Sequence, residues 1–280
     1  MRGSRNHTGP VREPVVEGIF YPEKREELND LVSSLISRSS AVPAAAPAIV
    51  TPHASLSYSG ETMSAAFKRA AGQERSSVVL IGPVHRDEEP LLIFPESRAF
   101  RTPLGTCEVD EALCGELLEM TDLAVQDDIP HLEEHCIEIQ LPFVQYLFPE
   151  AKILPILMGS TTESTVFALR DTIRHAAERL GAGGLVVVSS NMTGYREAQR
   201  AKDEASRLVQ HVVNGDWRSV LADREAGQLS TRGVGCIAAL LAYGEERLDS
   251  ELLARQNSFP QNPDVQRVVE YASFAFFTSP

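Results

Sequence analysis

Two histidines stand shortly after apolar runs that stop abruptly. His53 follows residues 48–50 in the stretch AIVTPHASLSYSG, and His85 follows residues 78–81 in SSVVLIGPVHR. Such runs are typical of strands in a sheet that is covered on both faces. Because right-handed crossovers make sequential strands of a βαβ unit parallel, both histidines are expected at one edge of the sheet. Adjacent strands lie about 4.8 Å apart, so the imidazoles can meet and bind a metal such as zinc, iron or copper.

A third histidine lies among acidic residues in the segment EEHCIEIQ. His135 and Glu138 are three residues apart, a spacing that places two side chains on one face of a helix. This predicts His135 and Glu138 as catalytic residues beside the histidine pair. For both sets of residues, a role without chemistry is also open. His53 and His85 would then be ordinary loop residues, and the acidic segment would be a solvated turn favoured by the helix dipole.

The elements that must position these residues alternate along the chain. Apolar periodicity predicts strands and helices in turn, which is typical of an α/β fold. We expect a three-layer sandwich with a central, mostly parallel or mixed sheet, and one domain over residues 1–280 with residues 1–10 as a flexible tail. The predicted strands are 48–51, 77–81, 90–95, 151–159, 183–192 and 268–278, with a hairpin or loop at 100–110. The predicted helices are 23–39, 60–71, 110–120, 133–151 with a kink at Pro142, 162–180, 196–213, a short helix near Trp217, and 233–246.

Composition excludes several classes of protein. The 280 residues carry a formal net charge of −13, which argues against nucleic acid and anionic membrane surfaces as partners. No apolar run approaches the roughly 18 residues of a membrane span, and the N-terminal residues lack the apolar core of a secretory signal. The four cysteines show no CxxC spacing, which indicates reduced thiols in a cytoplasmic protein.

Several segments, taken in order, resemble the MEMO family, also called AmmeMemoRadiSam system protein B. The similarity extends over nearly the whole chain. The segments are VREPVVEGIFYP (11–22), TPHASLSYSG (51–60), IGPVHR (81–86), EEHCIEIQLPFVQYLFP (133–149), VVVSSNMTGY (186–195) and RGVGCIAALLA (232–242).

The resemblance implies a fold and a pocket. The family shares its fold with class III extradiol dioxygenases of the LigB type, which hold non-haem Fe(II) and cleave catechol-like rings with O₂. In the MEMO family the pocket is built from the two strand-end histidines, a later Asp and His, and a Cys, and iron or copper binding is attributed to some members. The family name further implies AMMECR1-like or radical-SAM proteins as partners.

This chain departs from the family pattern in the pocket. The family's Asp corresponds to Asn191 and its His to Gly194, while Tyr195 matches the aromatic residue that closes that segment. The family's Cys falls on Arg232, and Cys236 takes the position of the usual Pro. The resemblance therefore implies that His53 and His85 are the metal ligands if a metal binds. We place them in a ligand-binding pocket together with Asn191, Tyr195, Arg232 and Cys236.

These departures change the expected chemistry. A non-haem iron site takes two histidines and one anionic ligand, whereas the carboxamide of Asn191 is neutral. Gly194 offers no acid or base. The permanent charge of Arg232 repels a divalent ion and favours a carboxylate or phosphate.

Three functions stay open from the sequence. The first is a pocket with a degenerate catalytic set that binds a small anionic ligand or a protein partner, with or without a metal. The second is an active enzyme in which His53 and His85 hold Fe(II) or another divalent metal, Glu138 or Cys236 completes the ligand set, and His135 is the acid/base. The third is a pure protein-interaction scaffold.

Overall fold

The computed structural model describes residues 10–86, 89, 91–245 and 247–278. The flexible tail predicted for residues 1–10 thus lies, except for Pro10, outside the described residues. Strands and helices alternate along the described chain, with short 3-10 turns at Glu138–Gln140 and Gly181–Gly183. In chain order the elements are β1 (Val11–Arg12), α1 (Arg25–Arg38), β2 (Ala48–Thr51), α2 (Leu56–Ala70), β3 (Ser77–Pro83), β4 (Leu92–Phe94), β5 (Ala99–Thr102), β6 (Gly105–Glu108), α3 (Glu111–Leu118), β7 (Ala124–Gln126), α4 (Asp128–Glu133), α5 (Leu141–Leu147), β8 (Lys152–Met158), α6 (Glu163–Leu180), β9 (Gly184–Ser189), α7 (Ala198–Val213), α8 (Trp217–Glu225), α9 (Val234–Gly244), β10 (Leu248–Asn257) and β11 (Glu270–Thr278).

The large sheet has eight strands in the order β10-β11-β2-β9-β3-β8-β4-β7. Its four central strands, β2, β9, β3 and β8, are parallel, while β11 joins β2 and β4 joins β8 in antiparallel pairs. A second sheet has the order β1-β5-β6, in which β5 and β6 form a hairpin, one of the two structures expected for residues 100–110. The expected α/β class with a mixed central sheet is confirmed.

One expectation about the sheet was wrong. The strands that precede His53 and His85 were expected to be neighbours, but β9 lies between them. Thr51 at the end of β2 pairs with Ser189 at the end of β9, and Val188 pairs with Ile81 of β3. The histidines therefore converge across the end of an intervening strand, and that strand ends in a serine.

Two apolar cores lie on the two faces of the large sheet. The sheet and the elements that cover each face form the three layers. Along β3, Val79 and Ile81 belong to one core and Val78 and Leu80 to the other, as the alternation of side chains in a strand requires. The first core is covered by α3, α6, α7, α8 and α9, and the second by α1, α2, α5 and the small sheet. Burial on both faces explains why the central strands are continuous apolar runs.

The predicted long helix over residues 133–151 is not formed. Instead α4 ends at Glu133, a non-helical segment carries His135, and α5 begins at Leu141. Pro142 lies in the first turn of α5, where the missing N–H of proline costs no helical hydrogen bond, so it starts a helix rather than kinking one. The premise that His135 and Glu138 share a helix face was therefore wrong.

Other boundaries differ by a few residues, and α4, β7 and β10 were not predicted. The helix expected at 60–71 begins earlier, at Leu56, with Ser55 as its N-cap. All four cysteines are free and buried. Within the described ranges, no helix combines the length and the apolar character needed to cross a membrane.

Candidate functional site

Three histidine rings meet beyond the ends of the central strands. The ring centroids of His53 and His85 are 5.0 Å apart, those of His53 and His135 are 5.5 Å apart, and those of His85 and His135 are 4.9 Å apart. One nitrogen from each ring can be chosen so that all three atoms lie within 4.8 Å of one another. Among the described residues this is the one such group of potential metal ligands.

His53 lies at the bottom of the group and is 2% exposed. Its Nδ1 lies 3.0 Å from Ser189 Oγ, and its backbone N–H donates to Asn191 Oδ1 at 3.1 Å. Burial lowers the pKa of His53 well below the ordinary value, and the neighbouring His85 and His135 lower it further. His53 is therefore neutral at physiological pH.

A carboxylate holds His85 from two sides. The backbone N–H of His85 donates to Glu134 Oε1 at 2.6 Å, and its ring Nδ1 lies 2.7 Å from Glu134 Oε2. Burial on its own would raise the pKa of Glu134, but the hydrogen bonds from His85 outweigh it and lower the pKa. Glu134 is therefore ionised and fixes the orientation of the His85 ring.

His135 completes the group from the non-helical segment before α5. Its ring stacks on His85 at an interplanar angle of 26° and meets the edge of Phe20 at a centroid distance of 5.0 Å. Burial, reinforced by His85, lowers the pKa of His135 to about 4. Gly82 lets this segment approach the end of β3, since a Cβ there would lie 2.5 Å from Cys136 Sγ.

The three rings open onto a cavity of about 400 Å³. Aromatic side chains line part of its wall, and hydroxyl, amide and guanidinium groups line the rest. The lining residues outside the histidine group are Phe20, Ala54, Ser55, Tyr58, Asn191, Thr193, Gly194, Tyr195, Ser230, Thr231, Arg232, Ser258, Asn262, Val269 and Tyr271. The cavity therefore has room for a small organic ligand in contact with the histidines.

Besides the histidines, three of the predicted ligand-binding residues lie in this lining, namely Asn191, Tyr195 and Arg232, and Gly194 lies there with them. The amide oxygen of Asn191 holds the His53 backbone, and the backbone N–H of Gly194 donates to Ser230 Oγ at 3.0 Å. Tyr195 is 61% exposed and lies at the rim, where the Arg267 guanidinium covers its ring at 4.8 Å.

The structure does not bring Glu138 or Cys236 into the cavity lining. Glu138 is 0% exposed and binds the Arg12 guanidinium and the Tyr21 hydroxyl. Cys236 lies in the apolar core with its Sγ 3.8 Å from Met158 Sδ, and burial raises the pKa of its thiol to about 12. Neither side chain is placed to complete a ligand set with the three histidines.

Glu134, Ser189 and Gln140 are site residues that the sequence interpretation missed. Glu134 was given no role in the site, although it stands beside His135 in the same segment. Ser189 is a polar residue at the end of an apolar run, which is the same pattern that identified His53. Gln140 had no local signal, because its partners Pro52 and Ser189 are 88 and 49 residues away.

Comparison with known proteins agrees with this architecture. The family model described as Memo-like protein matches residues 12–275. A MEMO1 family protein of Thermoplasma acidophilum is 31% identical over 265 residues, which cover 94% of this chain and 97% of the relative. A MEMO1 family protein of Methanosarcina mazei is 32% identical over 267 residues, with 94% and 98% covered.

A solved structure is similar in fold. It is the crystal structure of an uncharacterized protein from Escherichia coli K12, with a TM-score of 0.50 and 13% sequence identity. The match covers 81% of this chain and 99% of the other. At this identity the similarity concerns the fold alone.

Proposed function

This chain belongs to the Memo-like protein family, and we propose that it is a metal-dependent binding protein for a small anionic ligand. His53, His85 and His135 hold one divalent transition-metal ion, and the ligand occupies the adjoining cavity. The observation that carries the proposal is the convergence of three imidazoles with ligand atoms within 4.8 Å of one another.

The donor set fits such an ion. Imidazole nitrogen is a common ligand of iron, copper and zinc, and a histidine must be neutral to bind a metal. The lowered pKa values of His53 and His135 keep both rings neutral. Two nitrogens that bind one ion at about 2.1 Å each are at most about 4.2 Å apart, so a bound ion would draw the rings slightly together. When bound, the ion would supply Lewis acidity towards a ligand oxygen.

The charges around the cavity favour an anion. The three histidines are neutral ligands, and the ionised Glu134 that contacts His85 compensates only one of the two charges of a divalent ion. Arg232 adds a permanent positive charge to the cavity wall. A carboxylate or phosphate would meet both charges.

The metal site is tested by titration of protein that carries no polyhistidine tag. We expect about one Zn²⁺ or, without oxygen, one Fe²⁺ per chain, and at least a tenfold weaker affinity in His53→Ala and His135→Ala. His175→Ala is the matched control, because His175 lies on α6 and pairs with Glu116. Binding below about a tenth of an equivalent, or unchanged affinity in both site variants, would contradict the proposal.

The anion site is tested on the metal-loaded protein with acetate and inorganic phosphate as probes. Removing the guanidinium in Arg232→Ala should weaken binding of at least one probe about tenfold, since a charge-assisted hydrogen bond is lost. Arg38→Ala, at an exposed pair with Glu61, should bind the probe as the wild type does. Equal affinities for Arg232→Ala and the wild type would exclude Arg232 from the ligand site.

A further inference from the structure

The Ser189 hydroxyl determines which nitrogen of His53 carries the proton. Ser189 Oγ lies 2.8 Å from the carbonyl oxygen of Cys136, which can only accept, so the single hydroxyl proton is donated there. Gln140 Nε2 lies 3.0 Å from the same Oγ and can only donate to it. The orientation of the Gln140 amide is fixed because its Nε2 also lies 2.9 Å from the carbonyl oxygen of Pro52.

It follows that Ser189 Oγ can only accept from the third neighbour, His53. The distance to His53 Nδ1 is 3.0 Å, and the hydroxyl has no second proton to donate. His53 therefore carries its proton on Nδ1. In a neutral imidazole the other nitrogen, Nε2, then has a free lone pair.

Glu134 imposes the same arrangement on His85 by a different route. One carboxylate oxygen accepts from the backbone N–H of His85, and the other lies 2.7 Å from Nδ1. An ionised carboxylate can only accept, so Nδ1 of His85 must be the donor. Within the described part of the chain, neither His53 nor His85 forms a hydrogen bond through Nε2.

We infer that Glu134 and Ser189 are positioning residues that keep the proton on Nδ1 of His85 and His53, and so reserve the Nε2 lone pair of each ring for a ligand in the cavity. Side chains that fix the tautomer of a metal-binding histidine typically change metal affinity 10- to 100-fold when they are removed. The inference deepens the proposed metal site, but the tautomers can be measured without any metal.

The substitution Glu134→Gln gives a sharp test. Its amide has one accepting oxygen and one donating nitrogen, whereas Glu134 accepts twice from His85. The backbone N–H cannot change its role, so the amide oxygen must face it and the amide nitrogen must face Nδ1. We therefore expect the His85 proton to move from Nδ1 to Nε2, where it blocks the metal-binding lone pair.

The measurement is the ¹⁵N chemical shift of the imidazole nitrogens in metal-free protein at about pH 8, above the ordinary histidine pKa of about 6.5. Wild-type protein should show Nδ1–H for His53 and His85, and Glu134→Gln should show Nε2–H for His85 alone. Zn²⁺ affinity should fall about 10- to 100-fold in this variant. Glu133→Gln is the matched control, because its carboxylate contacts Arg86 instead of a ring.

The substitution Ser189→Ala tests the same inference for His53. Without the hydroxyl the Nδ1 proton loses its acceptor, and we expect the His53 tautomer to change while that of His85 stays the same. An Nε2–H tautomer for either ring in wild-type protein overturns the inference, and so does an unchanged His85 tautomer in folded Glu134→Gln. If wild-type protein shows both predicted tautomers but binds no metal, the proposed function fails and the positioning roles stand.

Discussion

His131 is a buried histidine that takes no part in the cavity. It is 2% exposed, its Nε2 lies 3.0 Å from the carbonyl oxygen of Ile93, and its Nδ1 has no hydrogen-bond partner among the described residues. Burial lowers the pKa of His131 to about 4, whereas an unfolded chain has a histidine pKa of about 6.5. Between these values the unfolded chain binds the proton more readily than the folded protein does.

The stability contributed by neutral His131 should therefore be complete above about pH 6.5 and should be lost as the pH falls towards about 4. Going from pH 7 to pH 5 should cost about 2 kcal/mol of unfolding free energy through this group. The measurement is urea unfolding of metal-free protein at both pH values. His131→Gln, which keeps a donor for Ile93, should lose about 2 kcal/mol less than the wild type over this range.

His175→Gln is the control for this prediction, because His175 is partly exposed and pairs with Glu116 at the surface. It should change the pH dependence much less than His131→Gln does, because an exposed pair contributes about 1 kcal/mol or less. Identical pH dependence in His131→Gln and the wild type would show that His131 does not resist protonation in the fold.

At the scale of elements, β1 is joined to the segment between α4 and α5 by a buried ion pair. The Arg12 guanidinium donates to the carbonyl oxygens of His131 at 2.9 Å and Glu134 at 2.7 Å, and it contacts the Glu138 carboxylate. Glu138 in turn accepts from the Tyr21 hydroxyl at 2.6 Å and from two backbone N–H groups of the N-terminal segment. This cluster fixes the segment that carries Glu134 and His135.

Breaking this pair should be costly. Glu138→Gln leaves the positive charge of Arg12 buried without a negative partner. Arg12→Met leaves the negative charge of Glu138 buried without a positive partner. Each should lower the unfolding free energy by about 3–5 kcal/mol, and the double variant should lose less than the sum of the two. The measurement is a double-mutant cycle by urea unfolding.

The exposed pair of Arg101 and Glu13, 3.3 Å apart, gives a matched control cycle on the neighbouring strand β5. Its removal should change the unfolding free energy by about 1 kcal/mol or less. Additive effects of Arg12→Met and Glu138→Gln, each no larger than in the control cycle, would contradict the role assigned to the buried pair.

This ion pair also explains why local sequence predicted a continuous helix over 133–151 that does not form. Carbonyl groups that a continuous helix would pair within itself are satisfied by Arg12, more than a hundred residues earlier in the chain. Apolar periodicity reports local preference, and it cannot show that a distant side chain takes the place of a helical hydrogen bond. The same reason concealed the Glu138 role, since its partners also lie in the N-terminal segment.

At the scale of the whole molecule, much more was predictable. Continuous apolar runs identified the central strands because β2, β3, β8 and β9 are buried on both faces. Their polar ends then indicated which edge of the sheet carries the site, and His53, His85 and His135 do meet there. Strand order was not predictable, because nothing in a βαβ pattern shows that a later strand will be inserted between two earlier ones.

The position of β9 has a consequence for the order of events during synthesis. His85 leaves the ribosome 104 residues before Ser189, and His53 leaves it 136 residues before Ser189. Until β9 pairs with both β2 and β3, the two strands that precede the histidines have no common neighbour, and the Nδ1–H of His53 has no Ser189 hydroxyl to donate a hydrogen bond to. The histidine cluster therefore cannot assemble on a chain that lacks β9, and it forms only when β9 has closed the centre of the sheet.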